Sequence, residues 1–158
     1  MNENIKSILT TCDKHVERLR WSMTHIEPMI PFTPERFSSL SDKEVAICDS
    51  FASRFSKLQD LMGSKLFDMI LTLGEEPIEA LTFIDKLNRL EKMHVLQDAQ
   101  QWREIRLVRN LLSHDYPEES EINAQNFNQA FQMAKTLLNT YEQVKQYTVN
   151  FLRRIEEN

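Results

Sequence analysis

The chain has 158 residues, only two glycines and a formal net charge of −5. This length is sufficient for one domain with a substantial core, and so few glycines argue against a turn-rich β protein. The net negative charge excludes a general electrostatic attraction to nucleic acid, whose binding depends on contacts of Lys and Arg with phosphates. Any such binding therefore requires a local basic patch.

Cysteine content and hydropathy narrow the class of protein further. Cys12 and Cys48 lie far apart without a Cys-x-x-Cys pair or a His/Cys cluster, which argues against a disulfide framework or a structural zinc site. No N-terminal apolar run resembles a signal peptide, and no stretch reaches the roughly 18 apolar residues of a membrane span. We expect a cytoplasmic protein that does not associate with membranes.

Apolar residues at three- and four-residue steps predict a first helix from about Asn4 to Ile26. A proline-bearing connection, residues 28–40, follows it, and the sequence leaves its role open. Ser41 and Glu44 form a capping-box pattern that should open a long second helix. Gly74 is placed to end that helix as its C′ residue.

Three further helices are predicted in the second half of the chain. A third spans about Ile78 to Lys92, with Pro77 at its start. Asp98 should cap the fourth, and a long fifth helix begins near Asn123. These elements predict an all-α antiparallel bundle of about five helices in a single domain, residues 1–158.

The fourth predicted helix has a polar face with an unusual composition. On a helical wheel at 100° per residue, six polar side chains fall within an arc of roughly 140°: Arg103, Arg106, Arg109, Asn110, Ser113 and His114. Most of the opposite side consists of apolar residues: Ile105, Leu107, Val108, Leu111 and Leu112. Trp102 does not fit this pattern, and we predict that it packs in the core, as does Trp21. Three arginines with an amide, a hydroxyl and an imidazole indicate a site for an anionic ligand.

The spacing Arg-x4-His does not identify the site by itself, because it occurs three times: Arg20 and His25, Arg89 and His94, Arg109 and His114. Only the last copy has an amide directly after the arginine and a tyrosine, Tyr116, two residues after the histidine. It is also the only copy on a polar face with further arginines. We interpret the other two copies as structural or surface residues. Since Pro117 disfavours the α conformation in the residue before it, the helix should end near His114 or Asp115.

The pattern Arg109-Asn110-x3-His114-x-Tyr116 resembles the signature of the HEPN domain, in particular that of the HepT-like toxins encoded beside minimal nucleotidyltransferases. That signature consists of an arginine, a polar residue, a histidine after a short gap and, in the HepT branch, a tyrosine two residues beyond. The layout of long helices before and after the motif is similar from about Ser41 to Ile155. Only the short motif is specific.

The resemblance implies a metal-independent endoribonuclease, the toxin of a toxin–antitoxin system. Such a protein cleaves RNA as a symmetric homodimer without a cofactor, and its site is a composite groove between subunits. A nucleotidyltransferase antitoxin is the implied partner, and it silences the toxin by adding AMP to the tyrosine, here Tyr116.

The residue types suit this chemistry because RNA supplies its own nucleophile, the 2′-hydroxyl. His114 could transfer a proton near neutral pH, and Arg109 could hold the scissile phosphate. Supporting roles are expected for Asn110 and Ser113, and RNA phosphate-binding roles for Arg103 and Arg106. Since Arg109 and His114 point roughly 140° apart on one helix, a dimer that joins them across two subunits is expected.

Two other interpretations stay open. The chain could be a non-catalytic HEPN protein that binds a nucleotide or the substrate of a nucleotidyltransferase. It could also be a structural bundle with a coincidental motif, in which Tyr116 packs its ring at a helix end. The presence of both Arg109 and His114 favours the enzyme.

Overall fold

A computed structural model describes residues 2–113 and 119–158 of the chain. Every regular element in these residues is helical, which confirms the predicted all-α bundle. The α-helices are α1 (Asn2–Ile26), α2 (Pro34–Ser38), α3 (Asp42–Leu61), α4 (Phe67–Leu73), α5 (Phe83–Lys92), α6 (Ala99–Leu112) and α7 (Ser120–Glu156). A π turn, Met62–Leu66, joins α3 to α4, and short 3-10 turns occur at Glu27–Met29 and Ile78–Ala80.

The core is formed where the apolar stripes of the long helices meet. α1 packs mainly on α3, while α6 contacts α3, α5 and α7. Among the largest fully buried side chains are Phe51 and Phe55 of α3, Trp102 of α6 and Tyr141 of α7. Burial of one such apolar side chain contributes about 1.5–3 kcal/mol. Trp102, together with the buried Ile105 and Val108 beside it, therefore fixes the rotation of α6 about its axis.

Local hydrogen bonds explain where the helices begin. The Ser41 hydroxyl accepts from the Glu44 amide at 3.2 Å, and the Glu44 carboxylate accepts from the Ser41 amide at 3.0 Å, as the capping-box pattern predicts. Arg36 also pairs with Glu44, and these contacts lower the pKa of Glu44 to about 2. Asp98 accepts from the Gln100 amide at 2.9 Å and so caps α6. Both predicted caps are confirmed.

The third predicted helix begins later than expected. Instead of starting at Ile78, it starts at Phe83, after a 3-10 turn. The reason is a second capping box, in which Thr82 accepts from the Asp85 amide at 3.2 Å and Asp85 accepts from the Thr82 amide at 3.1 Å. Pro77 precedes the 3-10 turn rather than the helix itself.

The connection 28–40 packs onto α7. The Phe32 amide donates to the Asn128 side-chain oxygen at 2.8 Å, and the Asn128 amide donates to the Phe32 carbonyl at 3.0 Å. The ring of Phe32 lies edge-on to Phe127, with 5.5 Å between centroids. The connection is thus part of the core, and it contains the short helix α2.

Gly74 ends α4, as predicted, but as its C-cap and not as the C′ residue. Its φ is −81°, and the left-handed residue is Glu75, because amides of Glu75 and Glu76 close the helix end on Thr72 and Leu71 carbonyls. Two other local predictions were wrong. Trp21 is exposed instead of packing in the core, and its ring lies 4.4 Å from that of His25, tilted by 39°.

Leu107 is 63 % exposed, although the wheel places it with the apolar residues. The cause is the burial of Trp102 against Phe67, which turns the opposite edge of α6 outward.

None of the described helices combines the length and apolarity required to cross a bilayer. In the same residues, no group of three or more His, Cys, Asp or Glu side chains is arranged to hold a metal ion.

Candidate functional site

Arg109 lies near the C-terminal end of α6 and is held by a carboxylate of α3. Its Nε donates to Asp60 Oδ1 at 2.9 Å and its Nη2 donates to Asp60 Oδ2 at 2.8 Å. This two-point contact fixes the plane of the guanidinium. The hydrogen bonds that Arg109 donates to Asp60 raise the pKa of Arg109 above its ordinary value, so the side chain stays positively charged.

The pair leaves part of the guanidinium free to bind an anion. Arg109 is 28 % exposed and Asp60 is 49 % exposed. A guanidinium has five N–H donors, and the bonds to Asp60 use two, which leaves three. Because exposed ion pairs contribute only about 0.2–1 kcal/mol to stability, the main effect of Asp60 is to orient Arg109.

The other two arginines of the polar face have different anchors. The guanidinium of Arg106 lies over the Phe83 ring of α5, 4.7 Å from its centroid, as in a cation–π contact. Arg103 is exposed and donates to the Gln100 side-chain oxygen at 3.3 Å. All three arginines remain accessible to some degree. Arg106 is oriented by α5, Arg109 by α3 and Arg103 by α6 itself.

Asn110 and Ser113 lie at the end of the same face, and both are exposed. The Ser113 hydroxyl donates to the Asn110 carbonyl at 2.7 Å, and the Ser113 amide donates to the same oxygen at 3.2 Å. Ser113 is therefore the C-cap of α6, which ends at Leu112, slightly before the predicted end. The Ser113 hydroxyl thus stabilises the end of α6 just before the histidine of the motif.

His114 and Tyr116 lie outside the described residues, as do Asp115 and Pro117. The predicted roles of this histidine and tyrosine rest on the sequence. The structure describes the first part of the motif, from Arg109 to Ser113.

A cavity of about 350 Å³ lies beside the arginines. It is lined by Gln59, Asp60, Gly63, Ser64, Phe83 and Arg106. Asp60 thus contacts Arg109 and also borders the cavity, which places the cavity directly beside the candidate site.

Sequence reasoning missed Asp60 and the cavity. Asp60 precedes Arg109 by 49 residues, and no local pattern indicates a pairing over that distance. The π turn that brings Gly63 to the cavity also has no periodic signal in the sequence. Gln59 and Asp60 do not stand out in the sequence, because Lys57, Ser64 and Lys65 are also polar neighbours.

The two other Arg-x4-His copies make ordinary structural contacts. Arg89 forms an ion pair with Glu76 at 3.2 Å, and Arg20 lies 3.6 Å from Glu142. Neither copy lines the cavity beside Arg109. The contacts agree with their interpretation as structural or surface residues.

Comparison of the chain with protein-family models, with curated proteins and with solved structures gives no significant match. The function is therefore argued from the residues and their geometry.

Proposed function

We propose that this chain is a metal-independent endoribonuclease of the HEPN type, acting as a homodimer and as the toxin of a toxin–antitoxin pair. The observation that carries the proposal is the orientation of Arg109 by Asp60, which leaves N–H donors of the guanidinium unused. Arg109 lies five residues before His114. The antitoxin is a nucleotidyltransferase, and its AMPylation of Tyr116 would place a bulky anion in the groove and exclude RNA.

The proposed reaction uses the 2′-hydroxyl of RNA as nucleophile. The hydroxyl attacks the adjacent phosphorus and loses its proton, while the bond to the 5′-oxygen breaks and that oxygen gains a proton. The products are a 2′,3′-cyclic phosphate and a 5′-hydroxyl. His114 serves one of the two proton transfers, and Arg109 stabilises the charge on the non-bridging phosphate oxygens. Asp60 acts as a positioning residue for Arg109.

Leu107 supports a dimer through the polar face of α6. It is a large apolar side chain with 63 % exposure. On the helical wheel it lies about 40° from Arg103 and about 60° from Asn110, so it borders the polar face. A second copy that covers Leu107 would also bring its own motif close, as the proposed composite site requires.

The first experiment measures RNA cleavage without metal. Labelled tRNA and total RNA are incubated with purified protein in excess chelator, using wild type, Arg109→Ala and His114→Ala. We expect cleavage by wild type and a loss of at least about 100-fold in both variants, with unchanged circular dichroism. Arg20→Ala and His25→Ala are matched controls, because this pair has the same spacing elsewhere on the surface. Absence of cleavage by unmodified wild type, or cleavage indifferent to His114→Ala, would refute the enzyme.

A second experiment tests the composite site. When Arg109→Ala and His114→Ala subunits are mixed and exchanged, half of the dimers are mixed and each has one intact site of two. We therefore expect about a quarter of the wild-type activity to return. If the two residues act within one subunit, no activity returns.

The dimer surface is tested with Leu107→Asp, which should give a monomer by light scattering and abolish cleavage. Ile84→Asp is the control, because Ile84 is an exposed apolar residue on α5. A Leu107→Asp protein that remains dimeric would show that this face is not the interface.

The second candidate function is a non-catalytic HEPN protein that binds a nucleotide or substrate for a nucleotidyltransferase. One observation favours it: Asp60 offsets part of the charge of Arg109, which weakens its stabilisation of a transition state but permits binding. Saturable nucleotide binding by a protein that cleaves no RNA would support this function.

A further inference from the structure

Three basic side chains, here called the His15 cluster, lie where α1 packs on α3. The cluster consists of His15 of α1 and of Arg54 and Lys57 of α3. Arg54 Nη1 lies 3.0 Å from His15 Nδ1, and the Ser22 hydroxyl donates to the Ser50 hydroxyl at 3.2 Å in the same interface. Because both contacts join α1 to α3, they fix how the two helices lie against each other beside the cluster.

The contact between Arg54 and His15 determines where the imidazole carries its proton. A guanidinium has only donors, so His15 Nδ1 is the acceptor. Burial and the positive charges of Arg54 and Lys57 lower the pKa of His15, so the ring is neutral at pH 7. A neutral ring that accepts at Nδ1 carries its proton on Nε2, and it has no acceptor nitrogen left for a ligand.

The unused N–H groups of the cluster are accessible. His15 and Arg54 are half-buried, and Lys57 is exposed. In the described part of the chain, Trp102 Nε1 is the one fully buried side-chain nitrogen or oxygen without a hydrogen-bond partner. His15 Nε2 and the Nε and Nη2 of Arg54 also have no partner there, and they are therefore open to solvent. The cluster thus presents donors to solvent from all three side chains and no acceptor.

The positive charge of the cluster is not offset by a carboxylate. The ion pairs among the described residues include neither Arg54 nor Lys57. Asp60, three residues after Lys57 on α3, is already held by Arg109. Like charges placed together around a half-buried imidazole do not stabilise a fold, whereas such arrangements are concentrated at functional sites.

A positively charged surface with donors only fits a ligand with several anionic oxygens, such as a phosphate group. Contacts of Lys and Arg with phosphates supply much of the affinity of proteins for nucleic acid. The cluster also adjoins the candidate site, because residues three apart on a helix have Cβ atoms about 5–6 Å apart. Lys57 therefore lies beside Asp60, which holds Arg109. In a chain with a net charge of −5, RNA binding requires such a local patch.

We propose that the His15 cluster is a second phosphate site for RNA, next to the phosphate held by Arg109. This inference rests on the proposed function, because the ligand is the RNA substrate. A backbone phosphate accepts from His15 Nε2, Arg54 and Lys57. The strand crosses α3 from the side of α6, where Arg109 contacts Asp60, to the side of α1. The cluster contributes to binding and takes no part in bond cleavage.

The first test measures RNA binding without cleavage. A labelled 2′-O-methyl RNA oligonucleotide, which lacks the nucleophile, is titrated in excess chelator with wild type, Lys57→Gln and Arg54→Gln, and fluorescence anisotropy gives Kd. For a single strand, each lost phosphate contact reduces the slope of log affinity against log salt concentration by about 0.7, equivalent to about fivefold weaker binding at 0.1 M salt. We expect this change in each variant and about twice the change in slope in the double variant.

Lys43→Gln is the matched control, because Lys43 is an exposed lysine of the same helix and takes part in none of the ion pairs of the described residues. It lies about four turns before Lys57, about 21 Å along the helix axis. We expect its salt dependence to equal that of wild type, with unchanged circular dichroism in every variant. If Lys43→Gln and Lys57→Gln weaken binding equally, affinity follows net charge and the phosphate site is refuted.

His15 can report whether RNA reaches the cluster. The chain has four histidines, and comparison with His15→Gln assigns the imidazole nitrogen signals of His15 in NMR spectra. We expect these signals to shift saturably with the 2′-O-methyl RNA, at the Kd given by anisotropy. Unchanged His15 signals at saturation would overturn the site. An equal shift at equal concentrations of poly-L-glutamate would mean that the cluster serves an acidic polypeptide, and it would refute the assignment to RNA.

The two proposals fail separately. In cleavage of ordinary RNA, Lys57→Gln and Arg54→Gln should raise KM and leave kcat unchanged. Cleavage that requires His114, with wild-type KM and Kd in both variants, supports the ribonuclease and refutes the second phosphate site. Binding of the 2′-O-methyl RNA that requires Lys57 and Arg54, by a protein that cleaves no RNA, supports the phosphate site and refutes the ribonuclease.

Discussion

Two carboxylates each join a pair of long helices, and their surroundings differ. Asp13 of α1 accepts from the Tyr141 hydroxyl of α7 at 2.7 Å and from Lys145 at 2.9 and 3.0 Å. Asp60 of α3 accepts two bonds from Arg109 of α6. Both are carboxylates paired with a cation across a helix interface.

The Asp13 and Lys145 side chains are 46 % and 35 % exposed, much like those of the Asp60 pair, but the third member of this cluster is buried. Tyr141 is fully buried, and its hydroxyl also lies 3.2 Å from the Leu9 carbonyl, so we call this group the closed cluster. Burial and the hydrogen bond to Asp13 raise the pKa of Tyr141, so this phenol stays protonated and serves as a donor. The Asp60 cluster is open, because Arg109 keeps unused donors and Asp60 borders a cavity. A cation–carboxylate pair thus indicates a ligand site where donors and space remain beside it.

Substituting the cation of each cluster should give the largest difference in RNA cleavage between the two clusters. Arg109→Lys removes the planar fork that contacts Asp60 and a phosphate together, and we expect kcat/KM for RNA to fall about 100-fold. Lys145→Arg in the closed cluster should leave cleavage unchanged. Initial rates on one RNA substrate measure both, and equal rates for wild type and Arg109→Lys would contradict the role of the open pair.

Removing the carboxylate of the closed cluster should affect stability. Asp13→Ala deprives the buried Tyr141 hydroxyl of its shorter acceptor and Lys145 of its partner, and we expect a loss of about 2 kcal/mol in the free energy of unfolding. Urea denaturation measures the loss. Activity per folded molecule should not change; if it falls as much as stability, the cluster is not purely structural.

Local patterns predicted two of the helix starts, those capped by Ser41 and Asp98, and the polar face. Ser41 and Asp98 cap helices through bonds to amides two or three residues ahead, so the signal lies within one helical turn. The exposure of Arg103, Arg106 and Asn110 also follows from helical periodicity. Such features depend on neighbours in sequence, which the sequence displays directly.

Features set by tertiary packing were not predictable in this way. The contact of Asp60 with Arg109 joins residues 49 apart. The exposure of Leu107 depends on how α6 is rotated against α4, which the wheel of one helix does not contain. Asp60 and the cavity beside it can therefore be recognised as parts of the candidate site only after the helices are assembled.

Removing the charge of Asp60, the carboxylate of the open cluster, should slow catalysis and leave the stability of the fold almost unchanged. Asp60→Asn keeps the size of the side chain but loses one of the two acceptors for Arg109, so the guanidinium is less fixed. We expect kcat to fall fivefold to tenfold, about 1 kcal/mol, with KM unchanged or lower because a negative charge near the phosphate is lost. The free energy of unfolding should change by less than about 1 kcal/mol. A rise in KM alone would mean that Asp60 contributes to binding and not to orientation.

The smallest expected effect belongs to the closed cluster. Tyr141→Phe removes one hydroxyl and keeps the ring in the core, while Lys145 still pairs with Asp13. A net hydrogen bond is worth about 0.5–1.5 kcal/mol, so we expect a loss of about 1 kcal/mol by urea denaturation. Tyr147→Phe is the control on the same helix, because Tyr147 is only half-buried and stacks on Phe151. Equal losses of unfolding free energy in the two variants would mean that the Tyr141 hydroxyl contributes nothing specific through Asp13. The contrast between the closed and open clusters would then rest on Asp60 and Arg109 alone.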